Sequence, residues 1–195
     1  MKTVAVLFAR ADSIYKTIPG CDVYDIERDA RKWPGGSPVV AHPPCRAWGR
    51  LRQFAKPRED EKQLAVLAVS LVQQFGGVLE HPASSSLFND LRLPKPGELH
   101  DKHGGQTFEI RQVDFGHRAE KRTWIYAVGI LPKFVFSMPP MRVATHCIRP
   151  SKSYPRLPSV TKPEREHTPP ELAVWLVDIA RATTAPNPAT REGVK

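Results

Sequence analysis

The apolar runs of this chain are short and unbroken, and they stop at chemically loaded residues. The stretch from Lys2 to Phe8 carries Val-Ala-Val-Leu-Phe without a polar interruption. A second run, Asp22 to Tyr24, ends at the acidic Asp25. After a Pro34-Gly35-Gly36 turn, a third run, Pro38 to Ala41, enters His42-Pro43-Pro44-Cys45, and a fourth closes as Gly77-Val78-Leu79-Glu80-His81-Pro82. A strand with one wet face alternates polar and apolar residues. Unbroken apolar strands are buried on both faces, the environment of a parallel sheet covered by helices.

The helices that would cover such a sheet are legible. Between Pro57 and Phe75, Leu64, Leu67, Ala68, Leu71, Val72 and Phe75 recur at spacings of three and four, and Gly76-Gly77 ends the pattern. The segment from His167 to Ala182 predicts a second helix, with Thr168 as N-cap, Pro169 at the first helical position, and Leu172, Trp175, Leu176 and Ile179 on one face. Thr107 to Phe115 and Arg122 to Val128 read as two further strands joined by Gly-His-Arg-Ala-Glu-Lys. The expected fold class is α/β: a single domain over residues 1–181 with a mostly parallel twisted sheet. Residues 82–106 read as a surface loop, 131–163 as a Pro-rich irregular insert and 182–195 as a disordered tail.

A length of 195 residues with 41% hydrophobic content suffices for one core. No apolar run approaches bilayer length, and the N-terminus reads as a strand, not a signal peptide. Three widely spaced cysteines make no disulfide framework, which favours a reducing cytoplasm.

In open α/β sheets ligands gather at the carboxyl ends of the strands. Asp25, His-Pro-Pro-Cys and Glu-His-Pro all fall on strand ends, and Val-Asp-Phe-Gly follows another strand. The net charge is +9, and Arg46, Arg50, Arg52, Lys56 and Arg58 follow the cysteine directly. That clustering points to contact with the phosphates of a nucleic acid or a phosphorylated small substrate. Two prolines before Cys45 restrict the backbone and pre-set the direction of the thiol.

The order of these motifs resembles the catalytic core of the cytosine-5 DNA methyltransferases. Pro44-Cys45, then Glu80-His81-Pro82, then "DFGHRAEKRTWIYAVG" follow as that family's Pro-Cys, Glu-Asn-Val and Gln-x-Arg-x-Arg motifs do, and the weight lies in the joint order. The resemblance covers roughly residues 20 to 130 and 165 to 181. It implies a reduced, Rossmann-like methyltransferase fold of a phage type, working in a bacterial or phage-infected cytoplasm on the pyrimidines of DNA. Cys45 would attack carbon 6 of the base, Glu80 would contact the ring nitrogen and amino group, and Arg122 would contact the base oxygen. S-adenosylmethionine would be the methyl donor, with cofactor contacts at Asp25, Phe8, Asp12 and Pro43. Phosphate or nucleic-acid contacts would fall to Arg46, Arg50, Arg52, His81 and His117. The first strand leads into "LFARADSIYK" with no glycine, only about twenty residues part Asp25 from Cys45, and His81 and Trp124 stand where the family has asparagine and a second arginine. The cofactor side is therefore expected to be degenerate.

The chemistry is coherent without the family. Carbon 5 of a pyrimidine becomes nucleophilic once a thiolate adds at carbon 6, and that thiolate needs a lowered pKa, here expected from Arg46 and Arg50. A partly protonated Glu80 would draw charge from the adduct. Cys45 can instead be a buried structural thiol, Glu80 a loop residue, Arg122 a solvated cation and Asp25 a turn residue. His42, Cys45, His81, His117, His146 and Cys147 lack strong metal-ligand spacing, so no metal site is expected. His81 or His117 suits acid–base work better, and Trp48 suits packing slightly better than stacking on a base. Three other functions stay open: an amino-group DNA methyltransferase, an enzyme of free pyrimidine nucleotides, and a non-catalytic protein that binds or shields DNA.

Overall fold

The computed structural model describes residues 1–50, 52–130, 137–149 and 156–184. Among them, six strands form one sheet: β1 (Val4–Leu7), β2 (Cys21–Tyr24), β3 (Val39–Ala41), β4 (Gly77–Pro82), β5 (Gln106–Arg111) and β6 (Arg122–Val128). Their order is β2-β1-β3-β4-β6-β5. The helices are α1 (Glu61–Phe75), α2 (Leu87–Asp90), α3 (Lys162–Glu166) and α4 (Pro170–Ala182).

The apolar runs pair as parallel neighbours, β2 with β1, β1 with β3 and β3 with β4. The sheet as a whole is mixed, because β6 runs against both β4 and β5. A parallel return from β5 to β6 would need a crossover of a dozen or more residues. The connection holds only the 3-10 turn Gln112–Phe115 and a short loop, so the two strands fold back on each other. One consequence matters for function: β6 starts at the rim where β3 and β4 end.

Alternation along each strand divides the core in two. Ala5, Leu7, Tyr24, Val39, Ala41, Leu79 and Tyr126 pack under Ala65, Ala68, Val69 and Val72 of α1. Val4, Val6, Val23, Val40, Val78, Ile125 and Ala127 pack under Leu172, Ala173, Leu176 and Val177 of α4. The expected helices thus cover opposite faces, with two shifts in their starts. α1 begins at Glu61, after a turn at 59–60, and α4 begins at Pro170 with Pro169 as N-cap, one residue later than expected.

Three expectations about irregular segments change. Residues 82–106 are not simply a surface loop: α2 and its sequel sink Leu87, Phe88 and Leu93 into the core. In the segment expected to be irregular throughout, α3 already starts at Lys162, and Cys147 bridges to Ser159. Of the expected tail, Ala182 ends α4, and Thr183 and Thr184 belong to the fold, Thr184 donating its N–H to Gly129 O at 2.9 Å. The rest of that tail, 185–195, and residues 131–136 and 150–155 of the insert lie outside the described residues. Among those described, no helix is long and apolar enough to cross a membrane.

Candidate active site

The sheet rim carries a cleft of about 210 Å³ whose floor is the carboxyl ends of β1, β3 and β4. Cys45, Glu80, Pro43, His42, Tyr15 and Lys121 line it, and Arg165 to Thr168, from the end of α3 into the link to α4, cover one side. Cys45 is open to solvent, and the turn it begins is tied by Trp48 N and Gly49 N donating to Cys45 O at 3.1 and 2.9 Å. The His-Pro-Pro-Cys motif therefore presents its thiol at the rim, in one cleft with Glu80.

Behind the thiol runs a buried polar chain. His42 Nδ1 lies 3.1 Å from Glu80 Oε2 and His42 Nε2 lies 2.8 Å from the Tyr15 hydroxyl. Gln112 Nε2 donates to Glu80 Oε1 at 3.0 Å and to Thr123 Oγ1 at 3.0 Å. Burial alone would raise the Glu80 carboxyl, but the charge of Lys121, the His42 hydrogen bond and charge, and His81 hold it down at about 2. Glu80 is thus ionised and accepts only, so His42 Nδ1 is the donor to it. Tyr15 is nearly inaccessible, and burial together with the Glu80 charge pushes its hydroxyl pKa up. It keeps its proton, and its hydroxyl is the hydrogen-bond partner of His42 Nε2.

The thiol is tuned opposite to expectation. Desolvation in the cleft raises the Cys45 pKa, the Glu80 charge raises it further, and Lys121 only partly offsets this. Arg46 is not among the main influences on the sulfur. Its guanidinium forms a two-pronged pair with Glu61, a carboxylate only 1% exposed in the first turn of α1. A cation held this way is a structural tie and not a free phosphate contact. The expected partly protonated Glu80 is likewise replaced by a carboxylate.

Four further expectations are corrected. Arg122 lies outside the cleft: it is exposed and pairs with Glu109 of β5, whose other oxygen accepts from Trp124 Nε1 at 2.8 Å. Its neighbour Lys121 does line the cleft, together with Arg10 and Arg165. His81 is fully buried on the opposite face of β4 from Glu80, so it touches no phosphate and serves no rim proton transfer. His117 is buried between Ala119 O at 2.9 Å and Glu164 O at 3.3 Å, a structural bridge to α3. Asp12 is exposed and paired with Arg10 and His167, each at 2.9 Å, in a clasp beside the cleft. Trp48 is buried, as packing predicts. Arg50 and Arg52 are exposed, with no acidic partner among the described residues.

A second cavity, about 190 Å³, lies on the α1 side of the same rim beside Phe8, Asp25, Ile26, Pro44 and Leu64. Of the residues expected to hold S-adenosylmethionine, Asp25 and Phe8 line this cavity, whereas Pro43 lines the thiol cleft. Asp25 already accepts from Lys16 Nζ at 2.7 Å and from the N–H groups of Glu27 and Arg28 at 3.0 and 3.1 Å. Phe8 turns the chain at φ 62, so a phenyl ring stands where a glycine turn would leave room. Pockets for molecules of this size run to about 300–1,000 Å³. The residues present do not fit the whole cofactor.

Tyr15, Gln112 and Lys121 carry no sequence signal as site residues. His42 does carry one, since it directly follows β3, immediately before the two prolines. No family model matches this chain, and no curated protein matches it in sequence.

Proposed function

We propose that this protein acts on the 5-position of a pyrimidine in nucleic acid by covalent addition of Cys45 to carbon 6, the course that its resemblance to cytosine-5 DNA methyltransferases implies. The observation that carries this reading is the meeting of Cys45, Glu80 and Lys121 in one solvent-open cleft at the strand ends. The thiolate forms a bond to carbon 6, and the electron pair moves to carbon 5, which takes a proton from solvent. Loss of the original carbon-5 proton and expulsion of the thiolate restore the ring. Glu80 accepts a hydrogen bond from the amino group of the base, and Lys121 takes the oxygen-binding role first assigned to Arg122. The net change without any methyl donor is exchange of the carbon-5 hydrogen with water.

That exchange is the test. A deoxycytidine-containing oligonucleotide incubated with the protein in heavy water should gain deuterium at carbon 5, read by mass spectrometry, and Cys45→Ser should abolish the gain. No exchange across a wide pH range would end the covalent reading. The raised thiol pKa favours a second reading, a non-catalytic protein that binds nucleic acid on the same face. Under it, Cys45→Ser retains full affinity and neither form exchanges hydrogen.

A further inference from the structure

We infer that the loop after Cys45 is a docking surface for single-stranded DNA, with Phe54 as the platform on which one base stacks. The inference rests on the reading of the thiol cleft as a base-accepting site, and it adds the strand state of the partner and the residue that senses it. Phe54 is 79% exposed, among the most exposed large apolar side chains of the described residues. It is not on a loose end: Arg52–Phe54 form a 3-10 turn, with Arg52 N donating to Gly49 O at 3.0 Å and Ala55 N to Arg52 O at 3.1 Å. These turns continue the one that Cys45 begins, so Phe54 follows the thiol in the chain through successive hydrogen-bonded turns.

The sequence neighbours of Phe54 are cationic. Arg50, Arg52 and Lys56 are exposed and have no acidic partner among the described residues, whereas Arg46 and Arg58 are paired with Glu61 and Asp60. Free cations flanking one bare aromatic ring match a polynucleotide whose bases are unstacked: the cations follow the backbone and the ring takes a π-face. A duplex hides those faces, and a base must leave the stack before Cys45 can reach it.

Fluorescence anisotropy with a labelled short deoxyoligonucleotide tests this. Phe54→Ala should weaken binding roughly ten-fold, the loss of about one stacked base. Phe54→Trp should hold the affinity, and its indole fluorescence should be quenched on binding. Replacing Arg50, Arg52 and Lys56 together by alanine should reduce the salt slope by about 2. The matching duplex should bind more weakly and be indifferent to Phe54→Ala. Unchanged binding by Phe54→Ala, an unquenched Trp, equal preference for the duplex, or tighter binding of the matching oligoribonucleotide would overturn the inference. Cys45→Ser separates the two proposals, because Phe54-dependent binding that survives without hydrogen exchange leaves this surface standing and removes only the covalent step.

Discussion

Cys45 and Glu80 constrain each other. The thiolate is disfavoured first by desolvation and then by the carboxylate that shares its cleft, while Lys121 acts against both effects. At neutral pH the sulfur is therefore mostly protonated, and its reactivity should climb as pH rises past the ordinary thiol value of 9.0. Alkylation by iodoacetamide, followed by mass spectrometry of the Cys45 peptide, reads this directly. Glu80→Gln removes a negative charge and should speed alkylation at pH 8 by several-fold, whereas Lys121→Met should slow it; the reverse order would refute the electrostatic account. The same pair shows what sequence reveals. Cys45 and Glu80 were legible because the chemistry fixes their residue types at strand ends. Lys121 was not, because a strand reverses its face at each residue. Lys121 shares a parity with Thr123, which faces Gln112 and Glu80, and Arg122 shares one with Trp124, which faces Glu109. A motif match one residue off selects the wrong side of the sheet.

Among elements, the joint from α1 into β4 controls where Glu80 stands. Gly76 and Gly77 both have positive φ, and a Cβ on Gly77 would lie 2.0 Å from Val39 O and 2.6 Å from Val39 N. The close approach lets β4 pair with β3 from its first residue, Gly77 opposite Val39. Gly36 has a similar φ of 95 but meets nothing within 4 Å. Gly36→Ala should therefore cost only the conformational penalty, about 1–2 kcal/mol, while Gly77→Ala should cost several kcal/mol and prevent β3–β4 pairing. Urea unfolding of the two variants compares them, and equal losses would show that backbone conformation alone sets the cost. The two glycines were legible as a helix stop. The contact with Val39 was not, because nothing in the chain near residue 77 announces which strand will lie beside it. For the same reason the buried part of residues 82–106 escaped notice: Leu87, Phe88 and Leu93 are too few for a period, and only the packing around them makes them core.

The whole molecule carries an acid sensitivity that follows from two neighbours on opposite faces of β4. His81 is fully buried, neither ring nitrogen has a hydrogen-bond partner among the described residues, and desolvation lowers its pKa from 6.5 to about 4. The unfolded chain therefore binds this proton first, so stability declines as pH falls from 6.5 to about 4, by about 3 kcal/mol from this group. Glu80, held near 2 against an ordinary 4.5, takes over below that: its stabilisation is present above 4.5 and is lost as pH falls toward 2. Acid should thus weaken the fold in two successive windows. His81→Leu tests the upper one. At pH 7 the variant should be more stable than the parent by about 1–3 kcal/mol, because a buried, unpaired polar ring is replaced by an apolar side chain. From pH 6.5 to 4 its urea midpoint should stay nearly level while the parent's falls, and below 4.5 the two should decline together as Glu80 is titrated. A His81→Leu protein that lost stability as steeply as the parent in the upper window would show that some other group takes up the proton.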